Sequence, residues 1–275
     1  MQKKIAVIND LSGYGRCSLT VAIPVLSAMG HQCCPIPTAI LSNHTEFPVY
    51  FFDDYTEKMT TYTDKWKELG LSFDAIATGF LGSEAQIGIV MEIVQKLKAE
   101  KTFVVVDPVM GDHGHAYETY TPEMCEQMKE LVCMADVVLP NVTECCILTD
   151  TPYREENWAR KELLNMAMML RLMGAKSVVI TGVREGSCYT NVVLEQGQYD
   201  AKFNWTRSSG GERPGTGDVF SSVVAGALLN GKSLPEAVSQ AAGFVKECIK
   251  VSDEEQIPHA NGVCFEKILG KLIKK

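Results

Sequence analysis

Short β-branched runs alternate along this chain with longer stretches whose apolar residues recur every three or four positions. The runs "IAVI" at 5–8, "FVVVDPV" at 103–109 and "VVIT" at 178–181 are too short for helices. With residues 35–40, 75–80 and 137–140 they predict six strands. Strands apolar on both faces belong to a parallel sheet covered on both sides. Residues 18–29, 57–69, 83–99, 122–132 and 155–173 carry helical spacing, and Leu163, Leu164, Ala167, Leu170 and Met173 mark the apolar face of the last. Another apolar helix is expected from Val219 onward, behind the glycine-rich run "GGERPGTGD". Strand and helix in regular alternation specify an α/β fold with right-handed crossovers.

Two segments break the alternation. Residues 188–205 read as a β-hairpin turning at Gln196-Gly197. Residues 39–56, "AILSNHTEFPVYFFDDYT", are strand-poor and are expected to form a small lid over a ligand. Repeats, low-complexity tracts and long linkers are absent, so residues 1–275 are expected to form a single domain.

Composition narrows the class. The hydrophobic fraction of 46% and charged fraction of 22% suit a globular protein. A net charge of -8 without a basic run argues against nucleic acid, whose phosphates need neutralising. No apolar stretch approaches the roughly 20 residues that span a bilayer, so no membrane role is expected. The ten cysteines include two adjacent pairs, Cys33-Cys34 and Cys145-Cys146, but no C-x-x-C spacing. They read as reduced thiols of a cytoplasmic protein.

In open α/β sheets, ligands bind beyond the carboxyl ends of the strands. The polar residues at those ends are Asn9-Asp10, Ser42 to Thr45, Thr78-Gly79-Phe80, Asp107 to Asp112, Asn141 to Glu144, and Thr181-Gly182. Gly215, Thr216 and Gly217 run straight into a helix, whose first turn offers unpaired N–H groups and partial positive charge to an anion. Asp218 stands in that turn as a base or as a simple cap; taken alone, the motif leaves both open. Asp107, Asp112 and Glu144 would meet on one rim, and carboxylates beside a phosphate cradle suggest Mg²⁺. The chain has no P-loop, no dinucleotide-binding G-x-G-x-x-G after its first strand, and no G-x-S-x-G elbow. His113 and His115 lack the spacing of a metal site.

"PGTGD" at 214–218 resembles the anion-hole and catalytic-base motif of the ribokinase-like kinases. "SNHT", "DPVMGD" and "PNVTE" are similar, in order and spacing, to motifs of the pyridoxal kinases. The resemblance implies a three-layer sandwich: a mostly parallel central sheet flanked by helices, with a small β-hairpin or lid. It implies ATP-dependent phosphorylation of the 5′-hydroxymethyl group of pyridoxal, pyridoxamine or pyridoxine. By position, Asp218 matches the catalytic base, and Gly215, Thr216 and Gly217 the anion hole. Asp107, Asp112 and Glu144 match the acidic, magnesium-associated group that also faces the nucleotide, with Asn141, Thr181 and Tyr120 as further nucleotide contacts. Asp10, His44, Thr45 and Phe80 match the vitamer side. Mg²⁺ and ATP are the implied cofactors, a monovalent cation is a further candidate, and a homodimer is the implied assembly.

The chain departs from the family pattern at three places. Serine is usual where it has Asp10, and tyrosine is common where it has Phe80. One bacterial branch carries a cysteine just before the glycine loop, where this chain has Glu212-Arg213-Pro214. A carboxylate at position 10 favours a cationic partner, and the aminomethyl group of pyridoxamine supplies one; the plainer alternative is a pair with Arg16 or a cap on the following turn. Hydroxymethylpyrimidine kinase activity is the nearest rival, and a non-catalytic vitamer-binding protein the rival from another class.

Overall fold

The valine- and isoleucine-rich runs lie side by side in the computed structural model, which describes residues 2–273. In chain order the elements are β1 (Lys4–Tyr14), α1 (Ser18–Ala28), β2 (Gln32–Asn43), β3 (Phe52–Asp54), α2 (Thr56–Glu68), β4 (Ala75–Thr78), α3 (Glu84–Leu97) and β5 (Phe103–Val106). There follow β6 (Gly111–Asp112), β7 (His115–Ala116), α4 (Pro122–Cys133), β8 (Val137–Val138), α5 (Val142–Leu148) and α6 (Arg160–Met173). Last come β9 (Ser177–Glu185), β10 (Cys188–Leu194), β11 (Lys202–Arg207), α7 (Thr216–Leu229) and α8 (Leu234–Glu254). Among the described residues, nine strands join in the order β11-β10-β9-β8-β5-β4-β1-β2-β3, and β6 and β7 form a separate ribbon. From β2 to β9 neighbouring strands run parallel; β3, β10 and β11 are antiparallel additions at the two edges.

The period-two pattern of β1 explains the two layers of helices. Ile5 and Val7 pack with α1, α7 and α8, whereas Ala6 and Ile8 pack with α2, α3, α4, α5 and α6. Both faces of the sheet are therefore core, which accounts for the unbroken apolar runs. The chain leaves β1, adds β2 on one side, and then crosses to add β4 on the other. This reversal opens a crevice between the carboxyl ends of β1 and β4, the place where such sheets bind ligands.

Several expectations change. The segment at 39–56 is not strand-poor: β2 continues to Asn43, and β3 pairs antiparallel with Ala39, Ile40 and Leu41 at the sheet edge. Pro35 and Pro37 fall where β2 has β1 on one side only, so their missing N–H groups break no second ladder. The hairpin at 188–205 forms as β10 and β11, with Gln196 and Gly197 inside the 195–201 link. It is the edge of the main sheet, because β10 also pairs with β9. The helix expected from residue 155 starts at Arg160; before it, the Arg154 guanidinium covers the Trp158 ring at 4.4 Å while Trp158 donates to the Arg154 carbonyl. Two helices absent from the sequence reading, α5 and α8, each open with a capping box, Asn141 with Glu144 and Ser233 with Glu236. All ten cysteines are unpaired. Among the described residues no helix is long and apolar enough to cross a membrane.

Candidate active site

Asp218 lies over the β1–β4 crevice, in the first turn of α7. Its Oδ1 accepts from Asn9 Nδ2 at 3.2 Å, and the backbone N–H of Ser18 also donates to the carboxylate. Asn9 in turn is fixed at its other end, where Oδ1 accepts from the backbone N–H groups of Phe80 and Asp10. One amide thus ties together the ends of β1, β4 and α7. Burial raises the Asp218 pKa from 3.8 to about 6, with the nearby Asp10 carboxylate adding to the rise. Such a group is ionised at neutral pH yet basic enough to take a proton.

The glycine loop has two different constraints. Gly215 caps α7 with φ +78°, and a Cβ built there would lie 1.8 Å from the Arg16 carbonyl oxygen. The absence of a side chain at 215 is set by the protein's own packing. Gly217 faces open space, with nothing within 4 Å of a Cβ built there. Thr216 Oγ1 donates back to the Arg213 carbonyl, and Arg213 is anchored by Asp253 at 2.8 Å and by the Ile257 carbonyl at 2.9 Å. The loop therefore enters α7 on a fixed support with its first-turn N–H groups directed by the helix.

The acidic rim is less uniform than its sequence suggests. Asp107 is partly buried just past β5, near Asp218 and Glu144; burial first, then those two carboxylates, raise its pKa well above the ordinary range. Glu144 is buried, and its oxygens accept from the N–H groups of Met110 (2.9 Å) and Asn141 (2.7 Å). Burial pushes its pKa to about 7 against those bonds. Glu144 is thus first of all a helix cap that also holds the 110–111 turn. Asp112 is exposed on the β6–β7 ribbon. Asn141 donates to the Gly111 carbonyl at 2.8 Å, and Thr181 sits beside it in a parallel bridge.

Asp107, Asp112 and Glu144 do not gather their oxygens into one cage. Among the described residues, the group whose ligand atoms lie within 4.8 Å of one another is Asp112, His113 and Glu212, all exposed. The spread of the first three suits Mg²⁺ that keeps most of its waters and takes its other ligands from phosphate oxygens. Tyr120 lies near Glu144 and Asp107, as Tyr117 does. It is core, with its hydroxyl donating to the Pro108 carbonyl, and Tyr117 is the more exposed of the two.

Among the residues that the resemblance matches to the vitamer, Asp10 is buried, and its two oxygens accept from the hydroxyls of Ser12 (2.8 Å) and Ser18. Arg16 is not its partner; it pairs with Glu266 at 2.7 Å. His44 is buried, with Nε2 against the Ala260 carbonyl at 2.7 Å, and burial raises the Asp10 pKa above the ordinary carboxylate value. Thr45 is exposed beside it, and Phe80 stands half-buried at the end of the crevice. Sequence reasoning missed Asn9 as the support of Asp218, because the two are separated by 209 positions.

A base at the amino end of a glycine-entered helix, over the switch point of a parallel sheet, defines a ribokinase-like kinase. The chain belongs to the phosphomethylpyrimidine kinase family, which it matches over residues 22–264. It is 28% identical over 243 residues to the pyridoxal kinase of Dictyostelium discoideum, covering 82% of this chain and 78% of that one. Its fold matches a Bacteroides thetaiotaomicron protein, grouped with the phosphomethylpyrimidine kinases and crystallised with pyridoxal, at 39% identity and TM-score 0.93 over 99% of this chain and 96% of that one. It matches the pyridoxal kinase of Lactobacillus plantarum at 27% identity and TM-score 0.91, over 99% and 97% of the two chains.

Proposed function

We propose that the protein is a vitamin B6 kinase, transferring the γ-phosphoryl group of ATP to the 5′-hydroxymethyl oxygen of pyridoxal, pyridoxamine or pyridoxine. The observation that carries this reading is Asp218, held by Asn9 and the Ser18 N–H at the entry of α7, with its pKa raised to about 6. A hydroxyl placed against this carboxylate gives up its proton to Asp218 as its oxygen bonds to the γ-phosphorus. The bond from phosphorus to the bridging oxygen breaks, and ADP leaves. The first-turn N–H groups at Gly217 and Asp218 stabilise the equatorial oxygens of the transferring group. Pyridoxal kinase relatives across the chain's length, and a pyridoxal-bound structural relative, support the vitamer class.

Magnesium fits the donors present. Asp107 and Asp112 would hold it, and Glu144 would hold the turn that leads to Asp112. When bound, the ion neutralises phosphate charge. Asn141, Thr181, Tyr117 and Tyr120 line the nucleotide side in this reading; Asp10, His44, Thr45 and Phe80 line the vitamer side. The reading includes a cytoplasmic, single-domain enzyme that pairs as a homodimer, which sedimentation at graded concentration would test.

The decisive experiment is ADP release with each of the three vitamers and with hydroxymethylpyrimidine. Turnover of the vitamers is the expected result. Turnover of the pyrimidine alone would make the protein a hydroxymethylpyrimidine kinase. Vitamer binding without ADP release would make it a binding protein.

A further inference from the structure

Next to Asp218 lies a narrow cavity of about 20 Å³, with no residue of the glycine loop in its wall. A single water needs roughly 10–15 Å³ on that measure. Small apolar side chains from β1, β4, β5, α1 and α7 form much of the wall, but Asn9, Thr78, Asp218, Ser221 and Ser222 also line it. Purely apolar chambers of this size stay dry, whereas one with several polar groups holds water. Thr78 is the last residue of β4 and is only 5% exposed. Its Oγ1 has no hydrogen-bond partner. Leaving a buried hydroxyl unpaired is costly, and valine would have served the strand equally well.

We propose that this chamber is a water site, with Thr78 as a positioning residue that acts on the base Asp218 through the enclosed water. The water accepts from or donates to the Thr78 hydroxyl and donates to the Asp218 carboxylate. Its dipole stabilises the ionised carboxylate and limits how far burial raises its proton affinity. The other ionisable groups that face Asp218 are Asp10 on β1, Cys17 ahead of α1, Asp107 beyond β5 and Tyr117 beyond β7. None of them lines the chamber.

The inference rests on Asp218 being the base, and its test has one arm that does not depend on activity. A high-resolution crystal structure of the wild-type protein should hold an ordered water within hydrogen-bond distance of Thr78 Oγ1 and of the Asp218 carboxylate. Thr78→Val should lose that water, and Thr78→Ser should keep it. In kinetics, Thr78→Val should move the acidic limb of kcat/KM upward by roughly 1–2 pH units, the size of one hydrogen bond to a charged carboxylate. Thr78→Ser should restore the wild-type limb. A dry chamber in the wild-type crystal overturns the proposal whatever the activity. So does a Thr78→Val enzyme with the wild-type pH profile and a higher Tm, the behaviour of a hydroxyl that was merely unpaired. Failure of every vitamer to turn over would instead remove the kinase reading, and the crystal arm would still decide the water site.

Discussion

A Cβ at Gly215 would stand 1.8 Å from the carbonyl oxygen of Arg16, so the entry of α7 and the turn after β1 are packed backbone against backbone. Gly215 also has φ +78°, where any side chain is strained. Its neighbour Gly217 has neither restriction. The two glycines should therefore fail differently. Gly215→Ala should lower Tm sharply and lose activity with it. Gly217→Val should keep the wild-type Tm but lose turnover, because its side chain enters the space an anion would occupy. Thermal unfolding beside ADP release checks both, and a fully active Gly217→Val would remove the loop from the site.

Replacing Asp218 by Asn removes the proton acceptor and keeps the shape. Turnover should fall by roughly 10²–10⁴-fold, as for loss of a general base, with nucleotide still bound. Stability should move the other way. Burial raises the Asp218 pKa from 3.8 to about 6, so ionising it in the folded state is unfavourable. That penalty is absent below the unfolded value near 3.8 and is fully felt above about 6. Asp218→Asn should accordingly gain Tm over wild type as pH rises through this window. Calorimetry at pH 4 and pH 8 reads the difference, and an equal Tm gain at both would exclude this origin.

The same raised value sets the wild-type pH profile. Only ionised Asp218 can accept the hydroxyl proton, so kcat/KM should fall as pH drops through about 6. Asp218→Glu, if it retains measurable turnover, should shift that limb; a limb that stays fixed belongs to another group.

Glu144 holds two loops by accepting from the Met110 and Asn141 N–H groups. Glu144→Ala leaves those buried donors unpaired, at about 1–3 kcal/mol each. Tm should fall and the KM for ATP should rise, with vitamer affinity in the absence of nucleotide nearly unchanged. Titration calorimetry separates the two ligands. An unaltered Tm with a raised Mg²⁺ requirement would place Glu144 on the metal instead.

Asp10 has both oxygens occupied by serine hydroxyls, so it does not depend on a cationic ligand. The place of Asp10 in the fold is thus accounted for without the pyridoxamine preference that its charge suggests. Asp10→Ser should cost stability, since Ser12 and Ser18 lose a charged acceptor worth about 1.5–3 kcal/mol per bond. The pyridoxamine-to-pyridoxal ratio of kcat/KM should change by less than about threefold, well under the tenfold that a charge-assisted contact implies. A tenfold shift toward pyridoxal would restore the selectivity role.

The sequence alone determined the layered α/β class, because sheet residues buried on both faces leave unbroken runs such as "FVVV" and helices between them leave a period near 3.6. It also singled out Gly215, Asp218 and Glu144 as candidates, because their motifs are short and contiguous in the chain. The capping box Ser233 to Glu236 was legible and announced α8, although its helix was not among those expected. Tertiary structure alone decided that Asn9 supports Asp218, that Arg16 dictates the glycine at 215, and that Tyr117 is the more exposed of the two tyrosines near the rim. Each of those depends on the strand order β5-β4-β1-β2, which brings together positions as far apart as 209 residues. Local propensity and periodicity carry no information about such pairings, because they arise only when separate strands and helices are packed over a common core.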